Sequence, residues 1–182
     1  MANPLKLLKL KPVSFQFIEE IPIAAPPAAV WKALLDVGAW FRFDDVPNFP
    51  AMKLDPRVGG MLTSATADGS VQMFSGIVGH IEREKLLRIT GPMGMTHLPM
   101  MNAMIWELRP ERGGTATTLR FCQRAFGYGT ADLKKNFRGG WKQLWPQLKA
   151  LAEQSAGAGK AASRNGTSVA AGRRPNRRRV TA

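Results

Sequence analysis

Apolar and polar residues alternate with a period of two along most of this chain, then switch to a helical period near its end. Phe15, Phe17, Ile21 and Ile23 share one parity, with Gln16 and Glu20 in the other, so Ser14 to Ile23 reads as a strand. Pro22 has no amide proton to give to a neighbour, which puts this strand at a sheet edge or at its own end. Pro26 and Pro27 suit the opening of a helix, where no donor is lost. Val30, Leu34 and Leu35 form the stripe of that helix, with Trp31 beside it, and Gly38 is expected to break it. From Ala39 to Met52 the chain is rich in aromatic residues and proline (Trp40, Phe41, Phe43, Pro47, Phe49, Pro50), which predicts a short second helix or an irregular crossing loop.

Strand patterns then follow one another: Gly60–Thr66, Val71–Glu82, Lys85–Thr90, Met100–Arg109 and Thr115–Ala125. Asp68-Gly69 is a hairpin dipeptide joining the first two, and Glu111 to Gly114 turns the chain before the last. After Phe126-Gly127 the period changes. Leu133, Phe137, Trp141, Leu144, Leu148 and Leu151 recur at steps of three and four, one face of a long helix. Pro146 lies inside it, and a proline there removes a backbone hydrogen bond at about 3 kcal/mol unless the helix bends. A kink near Trp145 is expected. Runs of short strands closed by a terminal helix argue an α+β domain with an antiparallel sheet.

At 182 residues the chain has room for one domain and an appendage. Its formal net charge of +13 is unevenly placed. Lys160, Arg164, Arg173, Arg174, Arg177, Arg178 and Arg179 carry the last stretch, which holds no acid and little to pack. Residues 154–182 are therefore expected to be a disordered basic tail. Residues 1–13 form a short basic extension in which Leu5, Leu7, Leu8 and Leu10 are interleaved with Lys6, Lys9 and Lys11. That pattern is too interrupted for a secretory leader, and no run of apolar residues is long enough to span a membrane. A cytoplasmic setting is expected, and the single Cys122 excludes an internal disulfide. The tail's arginines suit weak, nonspecific contact with nucleic-acid phosphates or acidic surfaces; a solubilising terminus is the plainer alternative.

Candidate chemistry is sparse. His80 and His97 do not stand with carboxylates at ligand spacing, so neither a metal nor another cofactor is expected. No glycine-rich phosphate loop is present, since Gly91-Pro92-Met93-Gly94 lacks the following lysine and helix. Cys122 reads as a buried inert thiol. Two features stand out instead: methionines at 93, 95, 100, 101 and 104, and a wealth of aromatic rings.

Four short signatures occur in order: Ala25-Pro26-Pro27-Ala28-Ala29-Val30-Trp31, Asp55-Pro56-Arg57-Val58-Gly59-Gly60, Gly113-Gly114-Thr115 and Gly139-Gly140-Trp141. Together they resemble the SRPBCC superfamily (START-like, birch-pollen-allergen-like), in its branch of homologues of the heat-shock ATPase activator's C-terminal domain. The resemblance implies a helix-grip fold over residues 14–153, a curved antiparallel sheet wrapped around a long C-terminal helix with an internal apolar cavity. It implies a binder of hydrophobic small molecules more readily than a catalyst, and no catalytic residue is assigned. The Met-rich loop then covers the cavity mouth, and Met104, Trp106 and Leu108 face inward. The expected lining is Trp40, Phe43, Met73, Met95, His97, Met104, Trp106, Phe121, Phe137 and Trp141. Trp40-Phe41 stands where relatives often have a tryptophan pair, which changes the lining. Two other roles occur in the superfamily. One is polyketide aromatase/cyclase chemistry, for which only His97 and Arg120 are candidate polar groups. The other is stimulation of a heat-shock ATPase.

Overall fold

The computed structural model describes residues 10–166 except 44 and 47. Seven antiparallel strands form one sheet in the order β1-β7-β6-β5-β4-β3-β2. In chain order these are β1 (Lys11–Ile23), two helices α1 (Pro27–Leu35) and α2 (Val37–Trp40), then β2 (Ala51–Leu54), β3 (Met61–Ala65), β4 (Gln72–Glu82), β5 (Leu86–Gly91), β6 (Met100–Glu111) and β7 (Ala116–Gly129). The long helix α3 (Leu133–Gly166) is the last described element and packs with α1 and α2 against the concave face. This is the helix-grip α+β architecture. No helix among the described residues is long and apolar enough to cross a membrane.

The alternation seen in the sequence sorts the faces. In β6 Met104, Trp106 and Leu108 are buried, and in β7 Leu119 and Phe121 are, all on the concave side. Trp141, Leu144 and Leu148 of α3 meet them, so the helical stripe is buried as its spacing predicts. Each leucine buried in this way contributes about 1.5–3 kcal/mol. Among the described residues β1 pairs only with β7, so Pro22 sits in an edge strand, opposite Thr118.

Three details differ from the sequence reading. Gly38 does not end α1: the helix stops at Leu35, and Gly38 lies within α2. A Cβ there would come within 2.9 Å of the Met52 carbonyl oxygen, so the glycine serves the close approach of α2 to β2. β2 is an addition, because four residues are too few to show a period. Asp55–Gly60 is consequently the connection between β2 and β3. Arg57 and Gly60 donate backbone bonds to Asp55 and Arg57 at 2.9 and 2.8 Å, and a Cβ on Gly60 would sit 2.1 Å from the Asp55 carbonyl oxygen. Arg57 is exposed and pairs with Asp55, so the motif shapes a turn. Finally, α3 runs on to Gly166, past the boundary expected at residue 154. Ala156, Ala158, Ala161 and Ala162 favour a helix once one is propagating. Pro146 lies inside this helix, and the arginines from 173 onward fall outside the described residues.

The Asp68-Gly69 hairpin forms as expected. Asp68 accepts from the Thr66 hydroxyl at 2.6 Å and from the Ser70 amide and hydroxyl, while Gly69 takes φ of +70°. Those bonds, the one from Thr66 foremost, lower the Asp68 carboxyl to about 2.

Candidate functional site

Aromatic rings fill the space between sheet and helix. Trp141 stacks on Trp145 at 4.8 Å between centroids, and Phe121 lies 4.4 Å from Trp141. Trp106 meets Trp141 edge-on at 6.0 Å. The consequence is a well-filled interior. The apolar cavity between sheet and helix is present, but its volume is only about 20 Å³, room for one water-sized probe. Trp40, Phe41, Met93, Trp106 and Trp141 are in its wall.

A larger space adjoins it on the outside. A groove of about 270 Å³ lies between α3, the loop after β5 and the aromatic segment after α2. Phe41, Phe43 and Phe49 form one side, held as a cluster by an edge-on Phe43–Phe49 contact at 5.0 Å. Met93 and Met95 form another, and Phe137, Gly140, Trp141 and Leu144 of α3 the third. Phe41, Met93 and Trp141 belong to both groove and cavity, so the two spaces share a wall. Among the described residues, Asn136 is the groove's one polar side chain besides the Trp141 indole. Two surface hollows are larger, about 420 and 520 Å³, but Glu111, Arg112 and Lys149 line the first and Lys134, Lys135, Arg138 and Lys142 the second. Volume alone therefore does not choose the site. Apolar enclosure does.

The Met-rich loop reaches the groove by a defined path. Met93 takes φ of +54° and Gly94 +74°, and the Met93 amide donates to the Ser75 carbonyl at 2.9 Å. This fixes the bend between β5 and β6 that brings Met93 and Met95 over the mouth.

Behind the rings runs a buried polar relay. The Trp141 indole Nε1 donates to Gln123 Oε1 at 2.6 Å, and Gln123 Nε2 donates to Asn102 Oδ1 at 2.8 Å. Gln123 has no solvent exposure and Asn102 almost none. A second buried indole, that of Trp145, donates to Glu19 at 2.6 Å, and Arg138 holds the other oxygen of that carboxylate at 2.9 Å.

The structure divides the ten expected lining residues. Phe43, Met95, Phe137 and Trp141 line the groove, and Trp40, Trp106 and Trp141 the small cavity. Met104 and Phe121 are buried beneath them as core. Met73 is half-buried in β4 and belongs to neither wall, and His97 is exposed on the Met-rich loop. Arg120 points away from the interior. On the convex face it bonds Glu107 at 3.4 Å and pairs with Glu20, so it offers nothing to a bound molecule. Glu107 is held below the usual carboxylate range, first by its bond from Arg109 and then by Arg120. Phe126 also faces outward, 66% exposed.

Sequence reasoning missed Asn102 and Gln123 as well as the groove positions of Phe49 and Gly140. The signal for the polar pair was there. Asn102 shares the parity of Met104 and Trp106, and Gln123 that of Leu119 and Phe121, so both are polar residues in phase with an apolar face.

Comparison with known proteins agrees with this architecture. Among solved structures, a protein from Rhizobium leguminosarum superposes with a TM-score of 0.63 at 19% identity, covering 81% of this chain and 99% of its own. Ara h 8.0201 gives 0.56 at 12% identity, covering 77% and 98%. A point mutant of Thalictrum flavum norcoclaurine synthase, solved with a transition-state analogue, gives 0.53 at 14%, covering 79% and 97%. At these identities the likeness is one of fold. No curated protein matches the sequence. The family model described as Activator of Hsp90 ATPase homolog 1-like protein matches residues 24–153. The chain is thus a member of the Activator of Hsp90 ATPase homolog 1-like family, within the SRPBCC superfamily.

Proposed function

We propose that this protein binds a hydrophobic small molecule in the groove between α3, the Met-rich loop and the aromatic segment after α2. One observation carries the reading: an apolar groove of about 270 Å³ whose wall, among the described residues, is almost free of polar side chains. Its volume lies just below the roughly 300–1,000 Å³ of ordinary ligand sites. Methionine suits such a wall because an unbranched, polarizable chain conforms to varied apolar shapes. The aromatic rings opposite supply large, rigid contact area. Among the described residues, nothing in the groove resembles a nucleophile with its base, which supports binding over catalysis.

Gly140 gives the test. It lies on the groove floor, where a Cβ would stand 3.6 Å from the Phe43 ring, ordinary contact, and any longer side chain would fill the space. The neutral fluorophore N-phenyl-1-naphthylamine should bind the native protein saturably, one per chain. Gly140→Leu should weaken that binding at least tenfold while leaving the denaturation midpoint at or above the native value, since leucine is the better helix former. Absence of saturable binding, or equal binding by the variant, overturns the proposal.

A further inference from the structure

The first turns of α3 carry more positive charge than helix stability favours. Lys134, Lys135, Arg138 and Lys142 all lie there, and no acid stands in the first turn. Aligned peptide dipoles already make this end of a helix positive, so cations near it are unfavourable. Lys134, Arg138 and Lys142 also recur at steps of four, which sets like charges side by side at a further cost. Of the four, Arg138 alone has an ion pair among the described residues, with Glu19 at 2.9 Å. The three lysines are exposed. Together with Ala131 and Gly139 these side chains border the surface hollow of about 520 Å³, and among the described residues no carboxylate lines it.

This cationic hollow and the apolar groove meet across the exposed back of α3. Gly139 lines the hollow and Gly140, next in the chain, lines the groove; Lys135 and Asn136 divide in the same way. Between the two spaces the helix therefore presents a pair of glycines, their Cα atoms about 3.8 Å apart. A Cβ on Gly139 would meet nothing within 4 Å, and one on Gly140 only the Phe43 ring, at 3.6 Å. The ridge is low at this point because neither residue carries a side chain. Lys135 and Lys142 stand four residues before and three after Gly139, the positions that flank it on one helix face.

We infer that the molecule held in the groove is an acidic amphiphile, whose ionised carboxylate, sulfate or phosphate head crosses the glycine pair to Lys135 and Lys142. The inference rests on the groove being the binding site. The rings and methionines take the apolar body. Among the described residues the groove wall holds no charged side chain, so an ionised head placed inside it would lose its hydration without compensation. In the hollow the same head stays in water beside cations. A neutral head gains nothing there, and a cationic one is repelled.

Three ligands with the same decyl chain test this by displacing N-phenyl-1-naphthylamine from the groove: decanoate, decan-1-ol and decyltrimethylammonium. At neutral pH and low salt decanoate should bind about tenfold more tightly than decan-1-ol, the worth of two or three exposed charge contacts, and the cation most weakly. In about 1 M sodium chloride, where the screening length falls to about 3 Å, the preference should shrink to about threefold or less. Lys135→Gln/Lys142→Gln should shrink it to the same extent at low salt. Both side chains are exposed, and the preference is a ratio taken within one protein, so altered folding does not imitate the effect. Equal displacement by decanoate and decan-1-ol, or a preference untouched by salt and by the double variant, overturns the acidic head and leaves the groove standing. Decanoate that fails to displace bound dye does the same. A dye that never binds overturns both.

Discussion

Gln123 is the residue whose replacement reveals most about how this interior is held. It has no solvent exposure and makes two hydrogen bonds, accepting from Trp141 at 2.6 Å and donating to Asn102 at 2.8 Å. Gln123→Met nearly conserves volume, so the cavity contribution is small. What changes is that the Trp141 N–H and the Asn102 oxygen both lose their partner. At about 1–3 kcal/mol for each buried group left unpaired, the variant should lose roughly 2–6 kcal/mol. The sign of a second substitution is the sharper test. In native protein Asn102→Leu removes one orphan, its own NH₂, and creates another on Gln123, so it should change stability little beyond packing. In the Gln123→Met background it removes two orphans and creates none, so the double variant should be more stable than Gln123→Met by about 2–6 kcal/mol. Urea unfolding followed by circular dichroism measures all four proteins. A loss below about 1 kcal/mol for Gln123→Met, or an Asn102→Leu effect equal in both backgrounds, would refute the relay.

Two further outcomes follow from single positions. Gly139 is exposed inside α3 with open space around its Cα, so Gly139→Ala should stabilise the protein by about 0.5–1 kcal/mol in the same urea assay; a loss of stability would show that the glycine is needed there. Asp68, whose carboxyl is lowered to about 2 from 3.8, should contribute stability that is present above about pH 4 and is lost as the pH falls toward 2. Asp68→Asn should therefore flatten that part of the stability curve; an unchanged acid limb would show that the hairpin carboxylate does not contribute.

The parts of this fold that are legible in the sequence are those whose period is long enough to be seen. The α3 stripe from Leu133 to Leu148 is buried as its spacing predicts, and the inward row of Met104, Trp106 and Leu108 holds. β2 is illegible because four residues cannot display an alternation, and its existence depends on pairing with Leu62, Thr63, Ser64 and Ala65. Gly38 misleads because glycine marks both helix ends and close approaches, and only the position of the Met52 carbonyl separates the two. The groove is legible in composition and less so in place. Methionines and rings point to an apolar wall, and Phe43, Met95, Phe137 and Trp141 do share a groove. That the rings would stack tightly enough to shrink the inner cavity to about 20 Å³ depends on rotamers and contacts that composition does not carry. His97 and Met73 fail as lining for the same reason: sequence places a residue on a loop or strand, and tertiary packing decides which side it faces.

The central claim is that the groove holds an apolar small molecule, and native mass spectrometry of the protein purified from its own host tests it most directly. The account predicts a single apolar companion of low mass at one per chain, released on denaturation and absent from Gly140→Leu. Protein that arrives empty, and stays empty when N-phenyl-1-naphthylamine is offered, would contradict it.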